Sequence, residues 1–403
     1  MDGHRITAFR ECEAALRNRD LKQALYDAGK VVMDEVLLTL HGEEHNARRT
    51  VEVRVFRRNF FNYYEKEVFP RTLAETIAPF VEAGGGDLLK LGYRLTVNLT
   101  SDFAGIDRPA RTAEESEHLI AITKKLSEGA TMVHSTRDHA ELNAEVLAVL
   151  ADFRESYFLP SLGRRRALLE ERRADRITDA DLPRDVLMTL VAGNDELNLG
   201  EEQLLREIAF YMQAGAHSTA NSVVHALWEI LEWARDDAAR WARLEDPIFV
   251  QRCVHESLRL HPASPEAWRT ATCPMHVPGA GEVAQRERIE LDLFLANRDR
   301  SIFGETADLF DPDRELPATV LRSGLAFGIG LHTCLGRELD GGVVAKPGSD
   351  PAQAQLGIVA LIVIELLRHG ARTIESDPPE RDTATLRQNW GRFPVRFTVK
   401  GTK

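Results

Sequence analysis

Cysteine is scarce in this chain. There are four in 403 residues (Cys12, Cys253, Cys273 and Cys334), and none forms a CxxC pair. That argues against a disulfide framework and suits a reducing cytoplasm. Basic residues are outnumbered, 51 Lys and Arg against 63 Asp and Glu, leaving a formal net charge of −12. Without a basic excess, nucleic acid is not expected as the main partner. Long hydrophobic runs are missing as well. The longest, around Leu356 to Leu367, is interrupted by Glu365 and is too short to cross a bilayer, so a buried helix is expected there. The opening residues, Met1-Asp2-Gly3-His4-Arg5, are polar and carry no apolar stretch of a signal peptide or anchor. A cytoplasmic protein without a membrane partner is therefore expected. Repeats and low-complexity tracts are also absent, and no shift in composition divides residues 1–403 into domains.

What the chain does have is one cysteine in an unusual setting: Phe327-Gly328-Ile329-Gly330-Leu331-His332-Thr333-Cys334-Leu335-Gly336. Gly328 and Gly330 permit backbone angles that a side chain would forbid. Gly336 lets main-chain N–H groups close over the sulfur, and Phe327 shields it from water. A thiolate so placed is a ligand for a soft or borderline metal. On haem iron, an axial thiolate pushes electron density toward O–O cleavage. The bland alternative is a buried structural cysteine in a glycine-rich turn.

The segment resembles the haem-binding signature of the cytochrome P-450 superfamily, Phe-x-x-Gly-x-His/Arg-x-Cys-x-Gly, with every specified position filled. The resemblance implies a mainly α (α+β) fold. Its bulk is helical with small β-sheets, and haem lies between a long central helix and the cysteine loop. It implies haem b (iron protoporphyrin IX) as cofactor and Cys334 as the metal ligand, with Phe327, Gly328 and Gly336 shaping the loop. Other segments extend the resemblance along nearly the whole chain. A helix is expected from Gly42 to about Phe61, with His45 and Arg49 four apart on one face. By resemblance these bind the haem propionates, together with Arg269 and His332. Arg48, Arg54, Arg57 and Arg58 on the same helix are either a solvated face or a basic surface that steers an acidic electron donor.

Residues 66–193 read as helical almost throughout, with breaks at Gly84–Gly86, Asp107–Pro109, Pro160–Gly163 and Thr178–Pro183. The helices near Glu114–His134 and Arg137–Phe158 correspond to the pair that lids the family's pocket. Arg164-Arg165-Arg166 reads as an exposed, salt-bridged face. Residues 201–234 form the longest pattern, a helix of roughly 50 Å, with small residues Ala214-Gly215-Ala216 at mid-length. In the family this segment is the oxygen-binding and proton-relay motif, which makes Gly215, His217, Ser218 and Thr219 the catalytic candidates. The chain departs from the motif: His217 replaces an acid and Ser218 the usual Thr. Imidazole can shuttle protons near neutral pH, or His217 is a core histidine that merely bonds a carbonyl. Glu256 and Arg259, about 75 residues before Cys334, match the family's buried ion pair. Arg314, in the Phe310–Arg314 meander, is a candidate third member.

Two departures concern length. The N-terminus starts near the first family element at His4. An insertion near 341–351, marked by Gly341-Gly342 and Pro347-Gly348, separates the cysteine loop from a helix expected over Ala352–His369. The insertion is expected to alter electron-donor docking. The Gly391 region, within Asn389–Val395, is expected to form a hairpin turn that reaches the pocket. Candidate pocket segments are Val31–Leu40, Met132–His134, Tyr211-Met212, Ala263–Pro265 and Trp390–Phe393, mostly apolar, with Glu266 or Arg392 as polar anchors. The function implied is a monooxygenase acting on a small lipophilic or aromatic substrate by hydroxylation or oxidative dealkylation. Its electrons come from NAD(P)H through a ferredoxin and its reductase. The alternatives are a haem-thiolate enzyme without reductive oxygen activation (peroxide-driven oxidase, isomerase or dehydratase) and a non-catalytic haem-binding sensor.

Overall fold

The central element of the computed structural model, which describes residues 4–346 and 348–398, is the helix Glu201–Ala234. Most of its length is buried, which a helix achieves only when apolar residues surround it on all sides. Leu88–Ala104 packs closely along it. That approach depends on Gly215, where a Cβ would come within 2.4 Å of Thr100 Cγ2. Ala113–Ala130, Pro247–Leu260 and Ile358–Arg368 also pack against it.

The sheets are small and lie to one side. The largest has four strands in the order His4–Ile6, Arg288–Asp292, Glu266–Ala271, Leu21–Gln23. The first pair is parallel and the other two are antiparallel. Glu266–Ala271 alternates half-buried and buried residues, the period-two pattern of a half-covered sheet. This sheet packs with the helix Phe9–Arg17 into its own apolar cluster, beside the larger helical core.

Several expectations need correction. The helix from Gly42 stops at Glu52, and a separate helix covers Arg58–Tyr63. Arg54, Arg57 and Arg58 are exposed, but Arg48 points inward and is no part of a basic surface. Its guanidinium is buried 2.6 Å from Glu207, a carboxylate with no exposure. Arg165 is likewise buried, paired with Asp185 and Asp107, so only part of the Arg164–Arg166 run is a solvated face. Pro160 does not break its helix. It follows the π-turn Arg154–Phe158, which joins His139–Phe153 to Leu159–Arg173 without a break and takes up a residue that has no N–H. Gly391 lies within the strand Trp390–Arg392, not at a turn.

The segment after the cysteine loop is pinched rather than open. A short helix, Arg337–Asp340, ends at Gly341, and the next helix starts only at Ile358, later than expected. Gly342 and Gly357 lie back to back at positive φ, and a Cβ on either would meet the other strand's backbone at 2.4 Å or less. Gln251 Nε2 donates to the carbonyls of Gln355 (2.9 Å) and Leu356 (3.1 Å), and Glu65 accepts the N–H groups of Leu356 and Gly357. The excursion between the two glycines is therefore tied at its base. Pro347 lies outside the described residues, as do Met1, Asp2 and Gly3 of the polar N-terminus.

Candidate active site

A cavity of about 350 Å³ lies between the central helix and the Phe327–Gly336 loop. That volume lies within the roughly 300–1,000 Å³ typical of small-molecule sites. Gly215, His217, Ser218, Thr219, His45, Arg49, Arg269, Phe327, Gly328, His332, Cys334 and Gly336 all line it. Four separate parts of the chain thus converge on one space.

The loop geometry follows from its sequence. Gly328 and Gly330 adopt φ of +58° and +75°. The Cys334 N–H donates to the Phe327 carbonyl at 2.9 Å, which closes the turn. Cys334 is open to the cavity, and its depth in the fold pushes the thiol up to about 11, with Asp340 adding to the shift and the Gly336 N–H opposing it. A thiol held so high is a poor nucleophile at neutral pH. A coordinated metal, by contrast, removes the proton outright.

Beside the loop, His45 and His332 stack edge to face with ring centroids 4.8 Å apart. Both ring nitrogens of His45 and Nε2 of His332 are buried without hydrogen-bond partners. Arg49 Nη2 donates to the Thr333 carbonyl at 2.8 Å, and Arg269 Nη1 to Gln23 and its neighbouring carbonyl at Trp268. Among the described residues, no carboxylate pairs with any of the four. Burial first, then the surrounding positive charges, push His45 down to about 4 and His332 to about 3, and burial brings Arg269 to about 10. Two imidazoles with unpartnered ring nitrogens and two guanidinium groups without a carboxylate form a cradle for an anion. The residues present fit a haem carrying two propionates.

The opposite wall is more constrained than the sequence suggests. His217 Nε2 receives Arg387 Nη2 (3.2 Å) and Asn389 Nδ2 (3.1 Å). Arginine only donates, so Nε2 is the acceptor, and Nδ1 carries the proton to the Tyr93 hydroxyl. Burial, then Arg387 and Lys124, hold His217 well below the usual imidazole range. It is therefore a neutral, fully partnered ring, not an imidazole titrating near neutral pH, and its partners are side chains rather than a carbonyl. Ser218 donates to the Ala214 carbonyl (2.6 Å), and Thr219 to Asp340 Oδ1 (2.6 Å). Asp340, buried with that hydroxyl as its partner, is raised to about 6. Sequence reasoning missed Asp340, Arg387 and Tyr93, and gave Asn389 only as part of a segment expected to reach the pocket. None belongs to a motif, and each is placed here by a contact more than a hundred residues distant.

Other expectations fare unevenly. Leu37, Leu38, Tyr211, Ala263, Ser264 and Glu266 line the cavity. Of the segments Met132–His134 and Trp390–Phe393, no residue does; their neighbours Thr131 and Arg387 do instead. Arg392 pairs with Asp377, away from the site. Behind the cavity, Glu256 receives Arg259 (Nη2 to Oε1, 2.6 Å) and Arg314 (Nε to Oε1, 3.1 Å).

Below the cavity floor, Glu207 accepts Arg48 and the Leu37 N–H, while Glu52 accepts only the Tyr211 hydroxyl. Burial and the neighbouring Glu207 raise Glu52 well above the usual range, so it is the carboxyl of the two that stays protonated. Stability from such a group is full at acid pH, and declines as pH rises from the ordinary carboxylate range to its raised value. The neutral isostere Glu52→Gln should therefore cost under about 1 kcal/mol and should gain on the wild type as pH rises. Glu207→Gln, which leaves Arg48 buried without its counter-charge, should cost about 3 kcal/mol or more. Chemical denaturation of both variants at pH 5 and pH 8 checks this. Equal losses at both positions would contradict it.

Fold and site together set a cysteine-bearing loop across a cavity from a long buried helix. Residues 163–339 match the family model Cytochrome P450. Pulcherriminic acid synthase of Bacillus subtilis (strain 168) is 24% identical over 381 residues, covering 92% of this chain and 84% of that protein. Nocardicin C N-oxygenase of Nocardia uniformis subsp. tsuyamanensis is 33% identical over 215 residues, 51% of this chain and 49% of that one. Among solved structures, CalO2 superposes with a TM-score of 0.74 at 17% identity, covering 98% of this chain and 91% of that one. P450BioI in complex with an acyl carrier protein ligated to hexadec-9Z-enoic acid gives 0.73 at 20% identity, covering 98% and 92%. Residues 163–339 thus carry the likeness to the cytochrome P450 family, and the fold of the chain is that of solved cytochrome P450 structures. The likeness implies a haem-thiolate cofactor. No helix among the described residues is long and apolar enough to cross a membrane.

Proposed function

We propose that the protein binds haem b with Cys334 as axial ligand and inserts one oxygen atom into a small lipophilic organic substrate. The electrons come from NAD(P)H through a ferredoxin and its reductase. One observation carries this reading: Cys334 faces a cavity whose rim holds four cationic or neutral donors without acid partners. When bound, the haem supplies the oxygen chemistry. The chain's part is to hold it. His45, Arg49, Arg269 and His332 take the propionates, Phe327 and Leu335 cover the loop, and Gly215 keeps the distal helix in place. Phe56, Leu99, Phe103 and Phe210 give the lining an apolar stretch that suits a lipophilic body and excludes water. The exposed Arg54 and Arg57 offer an acidic donor a basic landing, with Arg58 shared with Glu338.

A second reading is supported by the proton side. With His217 neutral, Ser218 bonded back to its own helix and Thr219 bonded to Asp340, no side chain of that turn is free to donate to oxygen. A peroxide-driven reaction, in which the oxidant brings its own protons, would need less of this wall. The two readings separate in one experiment. The haem-loaded protein is offered an alkoxyaromatic probe with NADPH, ferredoxin and reductase, or with hydrogen peroxide alone. We expect dealkylation with the reductase chain. Turnover with peroxide and none with the chain would replace the first reading by the second.

A further inference from the structure

Arg387 is the charged group that the proposed function leaves without a use. It lies in the loop between the strands Glu380–Arg381 and Trp390–Arg392, and its side chain lines the cavity. The loop is braced at several points. Asp382 N–H donates to the Asn389 carbonyl, Leu386 N–H to the His134 carbonyl, and Thr136 N–H to the Ala384 carbonyl. The guanidinium is thus held where it is by the backbone, rather than swinging in from the surface. Its Nη2 donates to Thr131 Oγ1 (3.0 Å) and to His217 Nε2 (3.2 Å), both neutral acceptors. Its Nε is buried with no partner at all. No acidic side chain among the described residues lies within ion-pair distance.

The acids that line the same cavity are committed elsewhere. Glu266 accepts the Trp268 indole N–H at 2.8 Å and lies 3.3 Å from His134 Nδ1. Asp340 accepts Thr219. A desolvated guanidinium with no counter-charge is expensive for a fold to keep. Burial holds Arg387 below the usual guanidinium range, and the largest opposing influence, from Tyr26, is a neutral hydroxyl at physiological pH. Arg387 makes no hydrogen bond to the four donors of the haem cradle; it belongs to the wall formed by Tyr26, Thr131 and His217. A guanidinium carries five N–H groups; with the two of Nη2 committed to Thr131 and His217, those of Nε and Nη1 remain to hold a carboxylate.

We propose that Arg387 anchors the carboxylate of the substrate, which is therefore a lipophilic carboxylic acid with its acid end beside His217 and its apolar body along Leu37, Leu38 and Phe210. This deepens the proposed function and rests on its reading of the cavity as a haem and substrate site. It also gives Thr131 and His217 a role: they orient the guanidinium so that its remaining donors face the substrate.

The test uses the haem-loaded full chain and two pairs of probes, dodecanoate and 4-phenylbutyrate, each against its primary amide. Binding is read by the Soret shift and independently by calorimetry. At least one acid should bind about tenfold or more tighter than its amide, the scale of one charge-assisted pair. Arg387→Met should remove that preference, weakening the acid about 10- to 100-fold while leaving the amide within about threefold, and Arg387→Lys should keep part of it. The proposal is overturned if neither acid is preferred over its amide, or if the preference survives in Arg387→Met. It is also overturned if the variant loses haem in place of acid affinity, since that would move Arg387 into the haem cradle. Failure of the broader reading looks different: the wild type itself would lack the red-shifted band of its reduced, carbon-monoxide-bound form.

Discussion

Replacing Cys334 by alanine should abolish the red-shifted Soret band of the reduced, carbon-monoxide-bound protein and lower turnover by about a thousandfold or more. The size of the effect follows from the site. Cys334 is the single thiol that lines the cavity. Cys12 and Cys253 are buried in the cores, and Cys273 is on the surface, so none can substitute. His332, the nearest alternative ligand in sequence, is turned toward His45. Without the thiolate, the strong electron push that favours O–O cleavage is lost even if haem is retained by its propionates. Two measurements on one preparation decide the matter, the pyridine-treated spectrum for haem content and the carbon-monoxide spectrum for its ligand. We expect haem content to fall and the ligand signature to vanish. An unchanged band in Cys334→Ala would mean that another residue ligates the iron, and would end the assignment of this loop.

How much of this was legible beforehand depends on the range of the interactions. The cysteine loop is local: its glycines, its phenylalanine and its ligand lie within ten residues, so the sequence spells it out. The central helix was equally readable, because 34 residues of continuous helical pattern leave few alternatives. His45, Arg49, Arg269 and His332 could be gathered only through the family resemblance. The groups that decide how the distal wall behaves were not readable in either way. Arg48 looked like one more arginine on a basic helix until Glu207, 159 residues away, drew it inside. His217 looked like a candidate proton shuttle until Arg387 and Asn389 occupied its acceptor nitrogen. Asp340 sits in a short polar run after the cysteine, where a surface position is the default. A buried polar group is identified by its partner, and these partners come from elements far apart in sequence.

The buried pair behind the site carries the other large expectation. Arg259 has no exposure. Its guanidinium donates to both oxygens of Glu256 and to the carbonyls of Asn297 and Ala307, and it lies 4.8 Å over the Phe303 ring. Glu256 also accepts Arg314 and the Asp311 N–H. Two arginines thus share one carboxylate, and the order of damage follows. Glu256→Leu strands two buried guanidinium groups. Arg259→Leu strands carbonyls but leaves Glu256 its second cation. Each should cost about 3–5 kcal/mol, with Glu256→Leu the worse of the two, against the 5–15 kcal/mol that holds a typical domain together. The effect should reach the site, because Asn297 Oδ1 accepts the Leu325 N–H two residues before Phe327. Haem retention should therefore fall at denaturant concentrations that leave the helical signal intact, and denaturation followed by circular dichroism and by Soret absorbance should give separate midpoints in Arg259→Leu. Coincident midpoints within error of the wild type would show that the pair neither stabilises the fold nor braces the cysteine loop.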